Sequence, residues 1–239
     1  MSAKISVHID LLGTIAKDIK KDVNKIRNNR NLSELFVVDR INEAIGFDPP
    51  EYTKSEFLEV LFNVKHESEI RIGIIDKKIS NKGGSHLYLP ISENVVLISI
   101  FGMKNLLKNE DLSMYNYLLS MIYKFVILKH IECDFTDITI HHPMHKHCLF
   151  AKCDDKEDIV QVLSAAGICT SCRGTIEKRP VFLGFFEAAN KEIKHIKKPI
   201  FYKIKDWVER HPIVSLVIFC LTSIFLGLLS NVIYGILKG

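Results

Sequence analysis

Four of the six cysteines fall into two close pairs, Cys148-x4-Cys153 and Cys169-x2-Cys172, with fifteen residues between the pairs. Thiolates at that spacing can converge on one ion. A zinc site needs four donors about 2.0–2.3 Å from the metal in a tetrahedron, and two short cysteine turns joined by a spacer supply them. The chemistry indicated is a structural four-cysteine zinc site. Two alternatives stay open: His147 replacing one thiolate, and no metal. Disulfides are the weaker reading, because the charged N-terminal residues do not resemble a secretory signal and a reducing compartment leaves thiols to metals. Cys133 reads as a small buried apolar residue, and Cys220 as one that packs inside an apolar run.

Just upstream, His141, His142, His145 and His147 crowd into the seven residues HHPMHKH. This density admits a second metal, or imidazoles that only hydrogen-bond beside the cysteine site. Here the chain resembles the archaemetzincin family of zinc metallopeptidases, whose motif has the form HExxHxxGxxHC-x4-C followed by CxxC. His147-Cys148-x4-Cys153 and then Cys169-x2-Cys172 match its third histidine and its four structural cysteines. Counting back, His141 takes the place of the second histidine. Asp137 stands where the first belongs, Ile138 where the general-base glutamate belongs, and Met144 where the glycine belongs. The resemblance spans residues 70–180 and implies a zincin-like core. It also implies a second ligand set of Asp137, His141 and His147. A peptidase of that class takes a proton from metal-bound water with its glutamate, and Ile138 cannot do so; losing the base costs about 10²–10⁴-fold in rate.

The elements that must position these side chains follow from periodicity. Ile9, Leu12, Ile15, Ile19, Val23 and Ile26 predict an amphipathic helix. Ser33 as a cap and Gly46 as a stop predict a second, and Thr53-Lys54-Ser55-Glu56 opens a third, running from Lys54 to about Lys65. EIRIGIID and NVVLISIF are short and β-branched, and read as strands; SNKGGSH between them lacks the ending of a phosphate-binding loop and reads as a plain loop. A long apolar helix should begin at Asp111 or Ser113 and end near His130, where the imidazole meets the helix dipole. DFTDITI reads as extended, residues 154–166 as a short helix stopped by Gly167, and a charged helix should run from about Glu187 to Glu209.

The chain has 239 residues and a net charge of +4, too small an excess to argue for nucleic acid. Its cations gather ahead of the uncharged run 213–237, whose helical rise of about 37 Å exceeds the roughly 30 Å of bilayer hydrocarbon. That pattern predicts a single-pass cell-membrane protein with a C-terminal transmembrane helix over 212–237 and a cytoplasmic N-terminal body. The lipid bilayer is then a partner, and Ser223 with Gly227 allows pairing of spans into a homo-oligomer.

The expected fold class is α/β (α+β): a zincin-like small mixed sheet with several helices, closed by the zinc module. The expected divisions are a helical region 1–69, an α/β domain 70–185 holding the module 147–180, a basic helix 186–211 and the span. The expected function is a membrane-held zinc module that binds a protein partner or signals, resembling a metallopeptidase that has lost catalysis. Its rivals are an active zinc peptidase with altered ligands and an effector that oligomerises through its span.

Overall fold

The computed structural model describes residues 4–29, 32–44, 68–79, 87–138, 140, 142, 147–153, 155–196, 204, 207–208 and 210–238, with 44 and 228–238 described by backbone alone. The chain divides into two compact units, Met1–Lys197 and Lys198–Gly239.

The first unit is built on five strands: β1 (Ile5–Leu12), β2 (Phe36–Ala44), β3 (Ile70–Ile75), β4 (Tyr88–Ser92) and β5 (Val95–Ser99). They form one mixed sheet in the order β2-β1-β3-β5-β4, parallel except for the antiparallel pairing of β4 with β5. Strand alternation sends Val7, Ile9 and Leu11 of β1, Ile70, Ile72 and Ile74 of β3, and Val96 and Ile98 of β5 into the main core. The opposite face holds a smaller apolar cluster that includes Leu12, Ile75, Leu89 and Leu97.

That opposite face also carries a buried polar group. His8 and Asp10 of β1 lie beside Arg71 of β3, at 1, 2 and 7% exposure. The His8 ring donates to Asp10 Oδ1 at 3.1 Å and Arg71 Nε donates to Oδ2 at 2.5 Å. Burial by itself would raise the Asp10 carboxyl; the hydrogen bonds from His8 and Arg71, and then their charge, hold it below the ordinary range.

Two helices cover the main core face. α1 (Lys17–Asn28) follows β1 through Gly13, which is left-handed at φ 69°, and buries Ile19, Val23 and Ile26. Between the sheet and the cysteine region come α2 (Met103–Asn109) and α3 (Met114–His130). α3 is the long apolar helix expected from sequence. Ser113 caps it by accepting from Asn116 N, and residues 117–128 are buried. Phe125 meets Tyr88 and Phe135 at ring distances of 5.3 and 4.9 Å, fixing α3 against β4 and the chain beyond the helix.

Several expected elements take another form. The helical stripe drawn from Ile9 to Ile26 is two elements, because β1 is buried on both faces and its near-continuous apolar residues imitate helical spacing. The helix expected from Ser33 is the strand β2, rich in Val37, Val38 and Ile41. Ser33 does cap backbone N–H groups, those of Leu35 and Phe36, but in a turn that leads into the strand. β4, holding Pro90, escaped the sequence reading. Phe135–Asp137 form a turn, not a strand. The expected helix over 54–65 and the SNKGGSH loop lie outside the described residues. The charged helix expected from about Glu187 to Glu209 is interrupted: α6 (Phe185–Ile193) gives way to turns and a bend at 194–196, residues 204, 207 and 208 are helical, and the rest of that stretch lies outside the described residues.

The second unit contains α7 (Pro212–Lys238). Here the expected transmembrane helix must be corrected, and with it the single-pass membrane location. Among the described residues no helix is long and apolar enough to cross a membrane. Ser223 donates to Phe219 O of its own helix at 2.9 Å.

Candidate metal centre

The cysteine region consists of two short helices and a pair of bridged segments, and the first of the two helices packs against α3. α4 (Asp158–Ser164) buries Ile159, Val162 and Leu163, while α5 (Thr170–Ile176) buries Cys172 and Ile176. Cys169 is the residue just before α5 and Cys172 lies in its first turn, so the C-x2-C pair sits on one helix start. Isolated parallel bridges join Cys148 to Gly167 and His142 to Ala151. The Gly167 N–H donates to His147 O at 2.8 Å and the Leu149 N–H donates to Gly167 O at 2.9 Å, tying the first cysteine to the residues that lead into the second pair.

His147 sets the turn into Cys148. Its backbone is left-handed at φ 69°, a conformation that costs a histidine free energy unless its surroundings hold it. Those surroundings are α4. The His147 Nδ1–H donates to Gln161 O at 2.8 Å, and Ser164 Oγ lies 3.2 Å from the same nitrogen.

These constraints bring four donors together: His142 Nε2 and the sulfurs of Cys148, Cys169 and Cys172 all lie within 4.8 Å of one another. His142 Nε2 is 3.2 Å from Cys148 Sγ and 3.4 Å from Cys169 Sγ, and the sulfurs of Cys148 and Cys172 are 3.7 Å apart. A tetrahedron built from Zn–S bonds of about 2.3 Å and a Zn–N bond of about 2.0 Å has edges of about 3.8 Å between sulfurs and about 3.5 Å from sulfur to nitrogen. The donor set and its spacing fit a tetrahedral ion.

Electrostatics favour ionisation at one sulfur first. The Cys172 thiol donates to Cys148 and draws that thiol far down, and the Cys169 N–H, the His142 ring and the Phe150 N–H add to the effect. The same bond, together with burial, pushes Cys172 up. The direction at Cys148 favours the thiolate, the form in which cysteine binds metal.

Of the residues singled out from sequence, Cys148, Cys169 and Cys172 come together. Cys153 is buried, but its thiol turns back toward Ala151 O at 3.8 Å and it is not one of the four donors. His142 takes the fourth place, carried there by its bridge to Ala151 and by the Lys152 N–H donating to His142 O at 3.0 Å. Sequence offered only the histidine density as a signal for it. His147 positions the loop and is not among the donors. His141 and Met144 lie outside the described residues. Asp137 is exposed in a bend, and among the described residues neither it nor His147 belongs to a group of three or more metal donors. A zincin holds its first two ligands one helical turn apart, whereas residues 137, 138, 140 and 142 are not helical. His130 lies in the last turn of α3, where the sequence placed it. Its Nε2–H donates to Leu35 O at 3.1 Å, its ring packs against Phe185, and burial holds it below the ordinary imidazole range.

No family model matches the chain, and no curated protein matches it. Among solved structures it is similar to archaemetzincin from Methanopyrus kandleri, at 9% identity and a TM-score of 0.48, over 73% of this chain and 94% of that one. It is also similar to archaemetzincin from Archaeoglobus fulgidus, at 12% identity and a TM-score of 0.42, over 71% and 99%. At that distance no ligand, activity or partner transfers to this chain.

Proposed function

We propose that the centre binds one zinc ion as a structural element and that the domain built on it binds rather than cleaves. The observation behind this reading is the donor set itself. Three thiolates and one imidazole complete a tetrahedron and leave no position for the water or substrate that a catalytic zinc keeps open. Two of those donors, Cys148 and Cys172, are 1% exposed, which is the environment of a fold-holding ion. Ile138, at the place of a peptidase's general base, supplies no proton acceptor.

Within this chain His142, Cys148, Cys169 and Cys172 would hold the ion. Bound zinc would link the bridged segments 142–153 to the start of α5, and would keep the three sulfurs ionised. His147, through Gln161 and Ser164, fixes the turn that presents Cys148.

The test is metal analysis of the purified full chain with a parallel peptide-hydrolysis assay. One zinc per chain, lost in Cys169→Ser/Cys172→Ser, with no hydrolysis by the zinc-loaded protein, is the expected result. Zinc-dependent cleavage abolished in that double variant would overturn the structural reading, and absence of metal from protein prepared with zinc under reducing conditions would overturn the site.

A further inference from the structure

Polar residues are few on α3, and three of them share one face: Tyr117, Ser120 and Lys124, at i, i+3 and i+7. All are deeply buried, at 0, 0 and 3% exposure. Two are satisfied. The Tyr117 hydroxyl donates to Ser99 O at 2.8 Å, and Ser120 Oγ donates to Tyr117 O at 2.7 Å. Lys124 differs. Its ammonium lies 4.6 Å from the centre of the Tyr88 ring, and among the described residues it meets no carboxylate and no hydrogen-bond acceptor.

A ring face restores only part of what an ammonium loses on leaving water, and it engages the charge while leaving the three N–H donors without acceptors. Buried charges are paired as a rule, so a deeply buried lysine held by an aromatic ring has N–H donors to offer an anion. The side chain leans toward the N-terminal end of α3, over the Ser120 turn, and Tyr88 belongs to β4, the outer strand of the sheet. The walls are tight: Tyr88 is 6% exposed and Phe125, packed against it, is fully buried. An anion bound there must therefore be compact.

We propose that Lys124 is the receptor for a compact anion, a carboxylate or an inorganic anion of similar size, bound between α3 and β4 beside Tyr88. This site is separate from the metal centre, whose four donors lie on neither element. The anion accepts from the lysine N–H groups and stacks its charge opposite the ring.

Thermal midpoints of the zinc-loaded full chain, measured in low-salt buffer during separate titrations with sodium acetate, sodium phosphate and sodium chloride, test this. For the wild type one of the three should give a saturating rise, about 3–6 °C at ten times its dissociation constant. The anion that saturates at the lowest concentration tells carboxylate from inorganic anion. Lys124→Met should match or exceed the wild-type midpoint without added anion and show no saturating rise. A wild type indifferent to all three anions, or a Lys124→Met chain with the same saturating response, overturns the proposal. Should Lys124→Met fail to fold, Lys124→Gln replaces it under the same criteria, and a flat wild-type titration overturns the proposal whatever the variants do.

Discussion

The Nε2 atom of His142 faces the sulfurs of Cys148 and Cys169, while the Cys153 thiol lies 3.8 Å from the Ala151 carbonyl oxygen. This sets distinct expectations for single variants. His142→Ala should weaken zinc binding, whereas Cys153→Ser should keep one zinc per chain; equal loss in both, measured by metal analysis after dialysis, would put Cys153 in the site. His147→Ala should also keep its zinc but lose about 1 kcal/mol of stability with the Gln161 hydrogen bond, as read from denaturant unfolding. Asp10 gives a pH-dependent case. Its carboxyl is depressed in the folded chain, so its stabilising contribution is fully present above the unfolded value of about 4 and is lost as pH falls through the lower folded value. Asp10→Asn should cost about 3 kcal/mol at neutral pH and flatten the acid limb of the stability curve, which urea unfolding from pH 7 to pH 2 will show. Three of the four clustered side chains were legible as candidate metal donors because cysteine spacing limits where thiols can meet. The fourth was not, because spacing along the chain does not reveal which of four crowded histidines a parallel bridge will carry inward.

Ser113 and α3 show where local sequence suffices. A serine followed by a dense apolar run both starts and buries the helix, and the cap to Asn116 N is present as read. Ser113→Ala should lower stability by about 1 kcal/mol without changing zinc content; a change in metal stoichiometry would show that α3 does more than support the sheet. β3 and β5 were legible for a related reason, being short β-branched runs with polar ends. β1 and β2 were not. Their apolar residues fit a helical period as well as a strand, and only pairing with β3 and with each other decides between them. Glu192 shows the same dependence on distant partners. This residue of α6 accepts from Ser33 Oγ at 2.5 Å and from the Glu34 N–H at 2.7 Å, contacts separated by more than 150 residues that no local pattern announces.

For the molecule as a whole, the first unit is a five-stranded mixed sheet with helices on its core face and a Cys3His cluster in its cysteine region, and α7 belongs to the second unit. The apolar run that forms α7 was plain in the sequence, but its reading as a membrane span was not upheld among the described residues. The functional reading depends on the first unit, where closure of the metal sphere separates a structural ion from a catalytic one. Zinc-edge X-ray absorption of the metal-loaded full chain measures that sphere. The expected spectrum has three sulfurs at about 2.3 Å, one nitrogen at about 2.0 Å and no water. Four sulfurs, or two or fewer sulfurs with added oxygen or nitrogen scatterers, would contradict the Cys148, Cys169, Cys172 and His142 site.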